Sequence, residues 1–219
     1  MKRLLKRQHV KLIMLIMMLL TMLVGCTSNK DIVEETKTES FNVSIIDSTG
    51  ETITLSSEPQ RIVSLAPGIT EILYYLGIED KIVGRTDYCN FPENIKEVPS
   101  VGDSNNFNLE AIIALEPDLV IGATYIPQDT MDKLREMGIK LAFLNEQESF
   151  EGTFAAIDKV GKLVNREAEA TDIVVGMQNK IDDTVEAVEA LGKTEKPKVY
   201  YMVGYGQQDF TAGGDTFIG

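Results

Sequence analysis

Short apolar runs alternate with segments of helical period through the middle of this chain, and that alternation constrains the fold most. Arg61-Ile62-Val63-Ser64-Leu65, Lys81-Ile82-Val83-Gly84, Leu119-Val120-Ile121 and Lys140–Leu144 are too short for helices and have the β-branched, apolar character of buried strands. Between them, Ile69, Ile72, Leu73 and Leu76 recur at helical spacing. Pro67-Gly68 turns the chain before that segment and Gly77 ends it. Asn108 is a good N-cap for a helix carrying Leu109, Ile112, Ile113 and Leu115, which Glu116-Pro117-Asp118 breaks. Pro127 fits the first turn of a further helix that buries Met131, Leu134 and Met137 and closes at Gly138. The order predicts an α/β lobe: a mostly parallel sheet with helices on both faces. Ahead of it, Phe41–Asp47 and Glu51–Leu55 alternate apolar and polar residues around Ser48-Thr49-Gly50, a hairpin pattern that Pro59 ends. Arg85 to about Asn108 reads as a loop.

The pattern changes at Thr153. Phe154, Ile157, Val160 and Val164 form one helical stripe, and Asn165 interrupts it. Ile173, Met177, Ile181, Val185 and Val188 then recur up to Leu191-Gly192. A helix over 166–191 would be about 39 Å long at 1.5 Å per residue, a fitting strut between two lobes. After Pro197, Lys198–Val203 reads as a strand, followed by glycine-rich residues 204–219. One apolar strand cannot bury both of its faces, so the expectation is the start of a second α/β lobe, truncated. The division expected is a lobe over 41–150, a helical linker over 151–196, and the start of the second lobe over 197–219.

The N-terminus carries a basic region, Lys2, Arg3, Lys6, Arg7 and Lys11, then an apolar core from Leu12 to Val24. That core is shorter than the roughly 20 residues that span a bilayer, and the profile is that of a secretory signal peptide over 1–25. Its end, Leu23-Val24-Gly25-Cys26, resembles the bacterial lipobox, which implies cleavage before Cys26 and lipidation of its sulfur. Residues 26–40 are polar and acidic, and read as a flexible tether.

Composition narrows the function classes. The formal net charge is −13, with every residue of the basic leader counted in it. Nucleic-acid binding requires a basic face and is not expected. The single histidine, His9, lies in the leader, so histidine-based triads and histidine-ligated zinc or haem are excluded from the rest. Two cysteines, Cys26 and Cys89, make no metal motif. Cys89 reads best as a small buried residue.

The order of motifs now carries a resemblance. The segments are Pro59–Pro67 with Thr70-Glu71, Val83-Gly84-Arg85, Tyr88-Cys89-Asn90-Phe91-Pro92, Val101-Gly102, Asn108-Leu109-Glu110, Leu115–Val120, and Gly213–Ile218. Together they resemble the substrate-binding lipoproteins of ABC transporters, of the helical-backbone class with two Rossmann-like lobes. Cobalamin- and iron-chelate-binding proteins belong to that class. The resemblance spans residues 41–219 and implies binding of cargo, with no catalysis and no cofactor. Its implied partners are an ABC permease and its ATPase subunits. It also implies a monomer on the outer face of the cytoplasmic membrane, or its periplasmic side, held by the lipid anchor.

In doubly wound sheets, ligands lie beyond the carboxyl ends of the strands. The candidate ligand-binding residues are Pro67, Arg85, Tyr88, Asn90, Ser104, Asn105 and Tyr125. Tyr88 matches a tyrosine that packs on the corrin in cobalamin-binding relatives, and an aromatic face suits a large flat macrocycle. Arg85 has the fork geometry for an anionic chelate, or makes a surface salt bridge. Glu110 matches the family's permease-docking glutamate, and also suits the first turn of its helix. Ser104 stands where cobalamin-binding relatives can carry a tryptophan, and the chain has none. A corrinoid and a ferric siderophore both stay open as ligands, haem less so. Two rival readings are a surface sensor or adhesin without transport, and a dinucleotide enzyme based on Gly204-Tyr205-Gly206. The latter lacks both the third glycine, where Asp209 stands, and a following helix pattern.

Overall fold

The computed structural model describes residues 41–103, 106–123, 125–145, 149–192, 195, 198–204, 210 and 211. The leader, the tether and Cys26 lie outside the described residues.

The centre is a four-stranded parallel sheet of β3 (Ile62–Ser64), β4 (Ile82–Arg85), β7 (Leu119–Gly122) and β8 (Leu141–Phe143), in the order β4-β3-β7-β8. Ile62 lies opposite Ile82 on one side and Leu119 on the other, and Val120 lies opposite Leu141. Alternate residues feed two cores. Ile62, Leu119 and Ile121 face the one built with α1 (Pro67–Tyr75), α4 (Phe150–Leu163) and the start of α5 (Glu167–Ala190). Val63, Val120 and Leu141 face the one built with α2 (Leu109–Ala114) and α3 (Gln128–Glu136). A sheet covered on both faces needs apolar residues at every strand position, which is why these runs do not alternate.

Helix ends follow local chemistry. Asn108 Oδ1 accepts from Ala111 N at 2.9 Å and Ser149 Oγ from Gly152 N at 2.9 Å. α1 and α3 stop on Gly77 and Gly138, both at positive φ, where Ile78 N reaches Leu73 O and Ile139 N reaches Leu134 O. Asn165 (φ 58) does the same for α4, with Arg166 N on Gly161 O. β1 (Val43–Ile46) and β2 (Thr52–Leu55) form the hairpin, Val43 opposite Leu55. It is latched to β8 by the buried Asp47 carboxylate, which accepts from Thr49 N, Glu51 N and Phe143 N.

Several details correct the sequence reading. Pro67-Gly68 does not turn the chain; it opens α1, because a proline with no N–H is suited to a first helical turn. Pro127 is the N-cap of α3 and lies just outside it. Met137 is the C-cap and is exposed rather than buried, one step past the buried Met131 and Leu134. Arg85–Asn108 is not plain loop: it holds a 3-10 turn, Glu93–Glu97, and the ribbon of β5 (Gly102–Asp103) and β6 (Asn106–Phe107). The strand expected over 198–203 is β9 (Met202–Gly204), paired antiparallel with β10 (Phe210–Thr211). Val199 and Tyr200 are exposed ahead of it.

α4 and α5 meet at a close approach. A Cβ on Gly161 would stand 2.5 Å from Ala170 Cβ and 3.0 Å from Arg166 O. Beside this corner, Glu58 receives the Lys81 ammonium in a short ion pair and Asn165 Nδ2 at 3.2 Å, with Arg166 at 4.0 Å. The Lys81 hydrogen bond, with Asn165 and the two cations, holds the Glu58 carboxyl below the usual carboxylate range against an opposing desolvation.

Two outcomes follow. Gly161→Ala is expected to destabilise the fold by about 1–3 kcal/mol in urea titration, by wedging α4 from α5. Because Glu58 is more acidic when folded, its contribution is complete above its unfolded pKa and disappears as the pH falls through the folded value. Stability measured from pH 6 down to 3 should therefore drop less steeply in Glu58→Gln than in the parent. At neutral pH the same change should cost less than about 1 kcal/mol.

Candidate functional site

Strand order places the site. The chain leaves β3 toward β4 on one side and returns to β7 on the other, so the connections after β3 and β7 diverge. That divergence opens a crevice at the carboxyl edge of the sheet. Leu65-Ala66, leading into Pro67 at the first position of α1, form one wall, and Ala123, buried against the sheet, begins the other. Under the floor, Thr70 Oγ1 donates to Ser64 Oγ at 2.8 Å and Ser64 Oγ donates to Ala66 O at 3.1 Å. No buried polar side-chain atom among the described residues lacks a partner.

Two tyrosines stand out from this edge. Tyr88, after β4, is 55% exposed, and Tyr125, after β7, is 69% exposed. Each is flanked by buried anchors: Thr86 and Cys89 around the first, Ala123 and Ile126 around the second. Ile126 sits over the sheet, its Cδ1 2.4 Å from where a Cβ on Gly122 would be. Asn90 is exposed beside Tyr88. Cys89 is buried, its Sγ 3.2 Å from Thr86 Oγ1.

Arg85 ends β4, and its guanidinium turns to the backbone: Nε donates to Ile95 O, Nη1 to Thr86 O and Nη2 to Lys96 O, at 2.9–3.2 Å. No salt bridge of Arg85 is present among the described residues, although the sequence allowed for one. Glu110, in the first turn of α2, is exposed. The far end of α2 is tied down by Arg61 at the start of β3, whose Nη2 donates to Leu115 O at 2.6 Å. The first turn of α2, which carries Glu110, is therefore the end away from the start of β3. Ser104 and Asn105 lie outside the described residues. No group of three His, Cys, Asp or Glu that could hold a metal occurs among the described residues.

The sequence reading missed an aromatic group. Tyr75 and Phe91 stack with centroids 6.1 Å apart, and Tyr74 meets both edge-on. Tyr75 also lines a groove of about 270 Å³ between α1, α4 and α5, with Ile72, Ile157 and Met177. Only the place of Tyr75 off the buried Ile69-Leu73-Leu76 stripe could have signalled its exposure; its pairing with Phe91 had no local signal.

Comparison with known proteins adds relatives. A family model described as "Periplasmic binding protein" matches residues 62–219. An uncharacterized ABC transporter substrate-binding lipoprotein of Bacillus subtilis is 35% identical over 203 residues, covering 90% of this chain and 64% of the relative. A cobalamin-binding protein of Halobacterium salinarum is 31% identical over 182 residues, covering 82% of this chain and 48% of the relative. Among solved structures, a periplasmic heme binding protein from Pseudomonas aeruginosa matches with TM-score 0.67 at 26% identity, over 71% of this chain and 57% of its own. A possible iron-binding (periplasmic solute-binding) protein from Staphylococcus epidermidis matches with TM-score 0.61 at 29% identity, over 74% and 63%. The chain thus spans between about half and two thirds of the length of these relatives.

If the two edge tyrosines are presented rather than packed, Tyr88→Ala and Tyr125→Ala should each unfold within about 0.5 kcal/mol of the parent in denaturant titration. A larger loss would assign the rings to the core.

Proposed function

This chain belongs to the periplasmic binding protein family, and we propose that it is the extracytoplasmic substrate-binding component of an ABC importer. It captures a cobalamin-type corrinoid or a ferric chelate between two lobes and hands it to a membrane permease with its ATPase subunits. The observation that carries this reading is the pair of exposed tyrosines that follow the carboxyl ends of two strands, Tyr88 after β4 and Tyr125 after β7. Rigid aromatic faces bury a large area of a flat ligand at little rotamer cost. Relatives described as binding cobalamin, heme or iron support the ligand class.

The action proposed is capture without chemistry, and the relatives are described as binding proteins. Opposed to the dinucleotide reading, the strand that ends at Gly204 leads to an antiparallel partner at Phe210. A pyrophosphate site needs a helix N-terminus at that point. In this proposal residues 41–150 form the ligand-binding lobe, 151–196 the linker, and 197–219 the start of a second lobe. The signal sequence over 1–25 is removed and a lipid on Cys26 anchors a monomer to the outer face of the membrane. No described helix is long and apolar enough to cross it. Ser104 and Asn105 complete the ligand edge together with Pro67 and Asn90, and Glu110 registers the lobe against basic groups on the permease.

The test is spectrophotometric titration with cyanocobalamin, haemin and a ferric siderophore. Binding of at least one is expected, and Tyr88→Ala should weaken it by about tenfold, the worth of one aromatic contact. Binding of none would overturn the proposal. In cells, Glu110→Ala should impair uptake and leave the titration unchanged; unaltered uptake would instead favour a surface sensor of the same fold.

A further inference from the structure

We propose that Arg85 is a positioning residue: it presets the loop that presents Tyr88, and does not itself hold the ligand. This rests on the carboxyl edge being the ligand site. The excursion from Thr86 to Val98 leaves the sheet at Arg85 and comes back beside it, where Arg85 N donates to Pro99 O and Val101 N to Arg85 O. Such an excursion leaves carbonyls with no strand partner, and an unpaired carbonyl in a partly buried place is costly. The guanidinium meets three loop carbonyls at once, Thr86 O at the outgoing end and Ile95 O and Lys96 O at the returning end; Thr86 O and Ile95 O also accept from the turn amides of Cys89 and Val98, so the fork ties those two turns and Lys96 O together. A planar fork with five donors can bridge both ends of a loop in one plane; an ammonium on a flexible stem cannot.

The residues on either side of Tyr88 are pinned as well. Asp87 N donates to Gly102 O at 2.9 Å and its Oδ1 accepts from Ser100 Oγ at 2.6 Å. Cys89 N donates to Thr86 O at 3.0 Å. The backbone is therefore held on both sides of a ring that remains largely in solvent. A ring presented in this way loses little freedom when it is covered, whereas a mobile loop would have to be ordered by the ligand. Three of the five N–H groups of Arg85 are committed to that task, which argues against the anion-binding role its sequence position allowed.

Arg61 supplies a matched control. It makes the same kind of contact at the opposite edge of the sheet, with Nε and Nη2 on Leu115 O and Nε also near Glu116 O. The experiment compares Arg85→Lys, Arg85→Gln and Arg61→Lys in the full chain, free and titrated with cyanocobalamin and haemin. In the free protein, amide exchange over residues 86–98 should rise about tenfold or more in both Arg85 variants, with the sheet and α4 unchanged, and stay at the parental rate in Arg61→Lys. With whichever probe the parent binds, both Arg85 variants should lose affinity alike, by about tenfold, and Arg61→Lys should lose none. Unchanged exchange in the loop would overturn the proposal, as would faster exchange throughout the lobe. Rescue of affinity by Lys but not by Gln would overturn it too, since that marks direct contact of the charge with ligand. A parent that binds neither probe counts against the ligand class, while the exchange comparison still decides the role of Arg85.

Discussion

Three residues, Ile62-Val63-Ser64, lie wholly out of solvent and are hydrogen-bonded to a parallel strand on each side. Parallel pairing forbids a short return, so each neighbour of β3 must be reached by a crossover that starts from the same edge of the sheet. The chain makes one crossover to the β4 side and then passes β3 to reach β7. The crevice is the point at which the connection leaving β3 toward β4 and the one leaving β7 toward β8 separate. Its floor and its two walls are therefore consequences of where one strand sits. Little of this depends on surface charge, although the chain is strongly acidic.

The parts of the fold that follow from burial were legible in the residues themselves. Runs such as Leu119-Val120-Ile121 can only be strands covered on both faces, and the stripe from Ile173 to Val188 can only be a helix. What was not legible is structure held by side chains gripping distant backbone. The segment after Arg85 has no hydrophobic period, so it reads as a loop, yet Arg85, Ser100 and Asp87 give residues 86–102 defined form. The strand expected over 198–203 is present only in its last part: Val199 and Tyr200 look like strand residues, but the paired segment begins at Met202.

The same limit applies to the site. Topology and exposure follow from pattern, so a tyrosine just past a strand end can be placed at an edge. The direction of a guanidinium cannot, because it is settled by which carbonyls the surrounding backbone leaves open. The Tyr75–Phe91 stack lies beyond pattern altogether, since it joins a helix to a loop through a meeting in space.

The close approach of Gly161 and Ala170 has a mechanical side. α5 is pressed against α4 near its own first turns, while Val185, Val188 and Leu191 at its other end are exposed. From Ala170 to Ala190 the helix runs about 30 Å at 1.5 Å per residue. Packing on the core continues to Met177, so the run from there to Ala190, about 20 Å, projects beyond it, and a tilt of about 5° would sweep the far end through roughly 1.7 Å. Two of the smallest residues in the two helices, Gly161 and Ala170, thereby set the aim of the longest element, and whatever rides on its far end inherits that angle.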